Sequence, residues 1–257
     1  MWDKINVARP PVDLSYALRS PADTDDGPVA FGIGRPTWSY LCSVKQGHSV
    51  NCGQWSDYCV HACGTHTETY GHLTSTGKPT VADVLDSQHV PMVLPCLVIT
   101  VLPTTAVSTT SNETGNSQDQ VVTLEGFMKA YYALPLEDTP VSGMKAVFIR
   151  TGLRPTQYSG TNPPYIHHHV MNFMVNTLQC KHVLVDLPSV DREQDGGRLL
   201  AHRAFFRERS DCTVTELCRN DTLNEMDDGW YALNLQLLRW HVDAVPSRPV
   251  LYHLKRE

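Results

Sequence analysis

His61-Ala-Cys-Gly-Thr-His66-Thr-Glu68-Thr-Tyr-Gly-His72 places three imidazoles and a carboxylate within twelve residues. Imidazole nitrogen together with carboxylate oxygen suits zinc or manganese. His66 and Glu68 stand two apart, so on an extended segment both point to one side. Gly64 lets the backbone pass close to such a site, and the neighbouring threonine hydroxyls can orient ligands from outside. His72 follows one short turn later, within reach of a proton-transfer role. Twelve histidines in one chain also allow a chance cluster. Spacing alone leaves metal binding and coincidence about equally open.

Outward from this stretch the chain reads as one strand-rich α/β domain spanning residues 1–257. Val90–Leu102 is rich in Val, Ile and Leu, and Ala146–Thr151 and His182–Leu187 read as short buried strands. Tyr231–Leu238 and Pro249–Leu254 add two more. Helices are fewer. Thr123–Leu134 opens on a capping threonine and keeps apolar residues at helical spacing. Asn162–Gln179 carries Val170, Phe173, Met174 and Leu178 on one face, and Gly197–Arg207 suggests a third short helix or turn. Thr104–Gln120, rich in Thr, Ser and Asn, reads as a surface loop, and Asp23–Asp26 as a solvated turn.

Composition narrows the function classes. With 41% hydrophobic and 19% charged residues the chain is of ordinary globular type. A net charge of -6 gives no electrostatic footprint for nucleic acid or an anionic membrane. No apolar run reaches the ~18–20 residues of a membrane span, and the first residues lack a signal-peptide core. The expectation is a cytoplasmic protein with a small-molecule partner. The eight cysteines are then expected as free thiols rather than disulfides.

Several segments, in order along the chain, resemble the cyclase family, which includes bacterial kynurenine formamidases, isatin-hydrolase-type enzymes and polyketide-cyclase-type proteins. Gly64-Thr-His-Thr-Glu-Thr-Tyr-Gly-His72 is similar to its His-x-Gly-Thr-His-x-Asp-x-Pro-x-His signature. Asp13-Leu-Ser15 resembles the family's opening strand, and Asp186-Leu-Pro-Ser-Val-Asp191 with Ala201-His202 resembles its Asp-Thr-Pro-Ser-x-Asp and downstream Ala-His. Thr213-Val-Thr-Glu216-Leu and Asp243-Ala-Val-Pro-Ser-Arg248 look like its two closing segments.

The resemblance implies a swivelling β/β/α fold, a homodimer or higher oligomer, and two zinc or manganese ions per subunit. It assigns His61, His66 and Glu68 to one metal. Glu68 would bridge to a second metal completed by His202 and Glu216, with His72 as catalytic acid/base. Three departures stand out. Glu68 replaces the usual Asp, His61 lies five residues before His66 instead of four, and Tyr70-Gly71 replaces Pro-x before His72.

The implied reaction is hydrolysis of a linear aromatic amide of the kynurenine-formamidase (arylformamidase) type. Attack on an amide needs activated water, a polarised carbonyl and an acid for the leaving nitrogen; a histidine titrating near neutrality suits the last task. Lactam opening, a polyketide-cyclase reaction and a non-catalytic binding role are the alternatives. Trp38, Trp55, Tyr58 and Tyr70, with Tyr40 and Trp230, are candidates for an aromatic substrate wall or for plain packing. His167-His168-His169 reads as a solvated helix end. The Cys59/Cys63 and Cys212/Cys218 pairs lack the regular spacing of a zinc site. No Gly-x-Ser-x-Gly elbow supports serine catalysis.

Overall fold

Val93–Thr100 is buried along nearly its whole length because it is covered on both faces. Leu97 and Ile99 face one apolar cluster, whereas Leu94, Cys96 and Val98 face another. The same alternation splits Ala146–Arg150, where Val147 and Ile149 join the first cluster and Ala146 and Phe148 the second. Strands covered twice read as unbroken apolar runs, which is why these segments are legible as strands.

The computed structural model describes residues 4–18, 27–87, 92–105, 119–134, 146–152, 162–219 and 226–255. The strands are β1 (Val12–Asp13), β2 (Thr37–Cys42), β3 (Cys52–Ser56), β4 (His66–Glu68), β5 (Val93–Thr100), β6 (Thr104–Thr105) and β7 (Gln120–Val122). They continue with β8 (Ala146–Arg150), β9 (Tyr165–Ile166), β10 (His182–Val185), β11 (Thr213–Glu216), β12 (Gly229–Leu237) and β13 (Ala244–His253). The helices are α1 (Val81–Asp86), α2 (Leu124–Ala133), α3 (His168–Asn176) and α4 (Leu200–Phe206).

An eight-stranded sheet runs β1-β13-β12-β5-β8-β10-β11-β4, and pairing of β4 with β13 closes it into a barrel with β1 as an added edge. The β5, β8, β10 and β11 neighbours are parallel, and the other pairings in this sheet are antiparallel. β2 and β3 form a separate ribbon, and β6, β7 and β9 a small third sheet. Phe148, Leu184, Leu233 and Leu251 belong to one cluster, within the barrel. The other cluster packs Leu97, Val147, Val183 and Val214 against Phe127 of α2, Met171 and Met174 of α3, and Phe205 and Phe206 of α4. Each such fully buried apolar side chain contributes roughly 1.5–3 kcal/mol relative to exposure. The architecture is therefore the strand-rich, mixed α/β arrangement expected of a cyclase-like fold.

Local differences from the sequence reading have physical causes. The helix expected from Asn162 begins only at His168, because Tyr165 and Ile166 after the Pro163-Pro164 pair extend the sheet beside Val121 and Val122. The strand expected at Pro249–Leu254 begins at Ala244, since Pro246 and Pro249 are accommodated in the ladder. Helix α1 was not anticipated, although Thr80 and Asp83 form a reciprocal capping box at its start. Of the loop read at Thr104–Gln120, residues 106–118 lie outside the described residues, as does Asp23–Asp26. Among the described residues no helix is long and apolar enough to cross a membrane.

Candidate metal centre

Strand β4 is only three residues long, yet it lies between β11 and β13 and its three side chains are all buried. Register places His66 opposite Glu216 and Glu68 opposite Val214. Val214 packs in the helix-side cluster, so His66, Glu68 and Glu216 face outward from the barrel toward the helices. Helix α4 meets that face and delivers His202. On the opposite face Thr67 Oγ1 lies 2.8 Å from Thr215 Oγ1 and donates to Ser247 Oγ at 2.8 Å. Thr65 Oγ1 donates to the Leu217 carbonyl at 2.6 Å, which fixes the strand's entry.

Two glycines are required here, for different reasons. Gly64 has φ +116°, a conformation that strains any L side chain, and it turns the chain from His61 into β4. A Cβ on Gly71 would stand 2.5 Å from both the Gly77 and Pro79 carbonyl oxygens, so the turn that presents His72 admits no larger residue. The departure at Tyr70-Gly71 is thus a tightly packed turn of a different kind.

The functional atoms lie within a few ångströms of one another. Glu68 Oε1 is 2.6 Å from His202 Nε2, and Glu68 Oε2 is 3.3 Å from His61 Nδ1 and 3.7 Å from His72 Nδ1. Glu216 Oε2 is 3.5 Å from His66 Nε2, and its Oε1 is 3.4 Å from His202 Nε2. Asp243 Oδ2 is 3.3 Å from His61 Nε2 and 3.4 Å from His72 Nδ1. Three overlapping groups result: His61/His66/Glu68, Glu68/His202/Glu216 and His61/His72/Asp243, each with donor atoms within 4.8 Å.

The chemistry of these donors fits a divalent cation. His61 Nδ1, His66 Nε2, His202 Nε2 and both Glu68 oxygens are buried with no hydrogen-bond partner outside their own cluster. Buried polar atoms are nearly always bonded to their surroundings, so five orphans that face only one another, Glu216 and His72 form the pattern of ligands. The atoms on the far side are held. His66 Nδ1 lies 3.1 Å from the Gly64 carbonyl, and His202 Nδ1 is 2.7 Å from Asp191 Oδ2. Glu216 Oε1 accepts the Val190 N–H at 2.8 Å. Outer partners of this kind fix the ring orientation of a metal-binding histidine.

Electrostatics point the same way. Burial disfavours charge on Glu68, but His202 and His72 outweigh it and hold the carboxyl well below its ordinary range. Burial likewise opposes charge on His202, yet Glu68, Asp191 and Glu216 raise its pKa well above the usual value. For His61 burial is again outweighed, by Asp243 and Glu68, and its pKa rises to about 10. The anionic pocket thus draws protons onto its histidines, positions that a cation would take over.

All six residues expected as ligands or acid/base, His61, His66, Glu68, His72, His202 and Glu216, are brought together. Asp243 and Asp191 fall within the family-like segments, but the sequence alone assigns them no role. The signal available for them is only that resemblance, because their partners lie ten or more residues away in the chain. The aromatic candidates divide. Trp38 and Trp55 pair across the β2–β3 ribbon with centroids 5.1 Å apart, and Tyr40 is 52% exposed. Tyr58 neighbours Cys59 and Cys63 beside the His61 turn, and burial lifts its phenol to about 12. Tyr70 packs on Phe206 at 6.1 Å. The His167-His168-His169 tract does begin a helix, but only His169 is exposed; His167 is buried as the cap of α3. All eight cysteines are free, and none joins the converging groups among the described residues.

A buried carboxylate–histidine centre on the outer face of a closed barrel defines the class as a metal-binding α/β protein. A sequence profile described as "Putative cyclase" matches residues 12–192, and the chain belongs to that cyclase family. No curated protein matches the sequence. Among solved structures, isatin hydrolase A from Labrenzia aggregata, bound to benzyl benzoate, superposes with TM-score 0.65 at 16% identity, over 96% of this chain and 94% of that one. A predicted metal-dependent hydrolase from Bacillus stearothermophilus gives 0.61 at 15% identity, over 95% and 98%. An isatin hydrolase bound to the product analogue thioisatinate gives 0.61 at 18%, over 95% and 92%. At these identities the likeness establishes the fold.

Proposed function

We propose that this chain is a metal-dependent hydrolase of a small amide, and that its reaction is the opening of a lactam ring of the isatin type. The observation that carries the reading is the convergence of five buried donor atoms, held by nothing outside their own cluster, beside the partly exposed His72. Support for a ring over a linear amide comes from the similar isatin hydrolases, within a family that takes both. The linear reading, with N-formylkynurenine as substrate, rests on the signature alone and is the weaker of the two.

His61, His66 and Glu68 would hold one zinc or manganese ion; Glu68, His202 and Glu216 would hold a second, with Glu68 shared. When bound, such ions polarise a carbonyl and acidify water. His72 holds a proton at the rim and gives it to the amide nitrogen as the C–N bond breaks. Without that proton the leaving nitrogen is a poor one, whether it departs or remains tethered in an opened ring. Asp243 and Glu68 hold the His72 ring in position. The same reading takes residues 1–257 as one domain and the protein as a cytoplasmic homodimer or higher oligomer.

The test is product analysis with isatin and with N-formylkynurenine, using protein reconstituted with zinc or manganese. Ring opening of isatin is expected, with turnover falling about 10²–10⁴-fold in His72→Ala and metal content unchanged. Turnover of N-formylkynurenine alone would favour the linear amide. Metal binding without turnover of either would point to a binding protein.

A further inference from the structure

We infer that Asp243 is a positioning residue that, through its single oxygen Oδ2, fixes which nitrogen of His61 faces the metal and also aligns His72. The inference rests on the metal-centre reading proposed above. The His61 ring stands between two carboxylates, one for each nitrogen: Nδ1 is 3.3 Å from Glu68 Oε2, and Nε2 is 3.3 Å from Asp243 Oδ2. A carboxylate outside the ligand shell keeps the proton on the nitrogen it faces and leaves the other lone pair for the metal. His61 therefore ligates through Nδ1.

His66 and His202 are arranged the other way round. Their Nδ1 atoms are held by the Gly64 carbonyl and by Asp191, and their orphaned atoms are Nε2. For His61 the orphan is Nδ1. Nδ1 lies closer to the backbone than Nε2, so the His61 ring reaches the cluster with a different edge than the rings of His66 and His202 do.

Asp243 is itself firmly placed. Its carbonyl accepts the Thr69 N–H at 2.9 Å and the Thr69 hydroxyl at 3.2 Å, and Ala244 pairs with Glu68 at the start of β13. The carboxylate is delivered by the strand adjoining the central ligand. Its Oδ2 also bonds His72 Nδ1 at 3.4 Å, leaving Nε2 as that ring's nitrogen for proton exchange. With 32% of its side chain exposed, Asp243 can be replaced without opening a core cavity.

The experiment is long-range proton–nitrogen NMR on ¹⁵N-histidine-labelled, zinc-loaded protein, combined with zinc titrations of Asp243→Asn and Asp243→Ala. Zinc is expected on Nδ1 of His61 and on Nε2 of His66 and His202. Asp243→Ala should weaken one zinc about 10–100-fold and leave the other unchanged. Asp243→Asn should keep most of the affinity, since its amide oxygen accepts the same N–H. Zinc on Nε2 of His61, or unchanged affinity in Asp243→Ala, would overturn the inference while leaving the metal centre intact. Equal loss of the ion in both variants would make Asp243 a ligand and also overturn it. Failure of the wild type to take up zinc would remove this inference and the proposed function together.

Discussion

Both oxygens of Glu68 face only imidazoles, those of His61, His72 and His202. A buried carboxylate in that position must be balanced by positive charge, either protons on the histidines or a cation. The two compete, which sets a pH dependence. The pKa values of His61 (about 10) and His202 lie above the ordinary histidine value, so both rings carry an extra proton at neutral pH without a metal. Glu68 and Glu216 are lowered, so they are already ionised and release nothing. Binding must then expel protons, roughly two per loaded subunit at pH 7, and affinity must keep rising with pH through neutrality, levelling off only as the raised pKa of His61, about 10, is passed. Calorimetry in buffers of differing ionisation enthalpy should show this release; heats independent of the buffer would contradict it. At this scale the sequence was most informative where donors cluster within His61–His72. It was silent on Asp243 and Asp191, whose roles depend on strand register and on a loop reaching a helix end.

Helix α4 shows how an element can be held from outside. Its N-cap position is Leu199, which supplies no side-chain cap. Asp191 takes over instead, accepting the Ala201 N–H at 2.7 Å and the His202 N–H at 3.0 Å while bonding the His202 ring. One carboxylate therefore sets both where the helix starts and which way its histidine faces. Asp191→Ala should lower stability by about 3 kcal/mol, through unsatisfied buried donors, and weaken one metal about 10–100-fold. Urea denaturation and metal titration check the two effects; an unchanged midpoint would show that the tether is dispensable. The strands legible beforehand are β5, β8 and β10, which are covered on both faces, together with β12 and the later part of β13. β4 escaped notice as a strand because three residues carry no periodicity, and β2 and β3 because their largely exposed residues make no apolar run.

For the molecule as a whole, the family profile ends at residue 192, yet His202, Glu216 and Asp243 all lie beyond it. The barrel explains how they join the matched region. β11 and β13 flank β4 and bring Glu216 and Asp243 to His66, Glu68 and His61. Closure of the barrel and assembly of the cluster are therefore one structural event, made by pairings such as Glu216 with His66 and Ala244 with Glu68, far apart in the chain. Such pairings leave no mark on local composition; only the order of family-like segments hinted at them. The central claim, that this junction is a divalent metal centre, is tested most directly by elemental analysis after reconstitution with zinc or manganese. Wild type is expected to hold about two equivalents per chain, with less in both His66→Ala and Glu216→Ala. A folded wild-type protein that retains no metal would contradict the account.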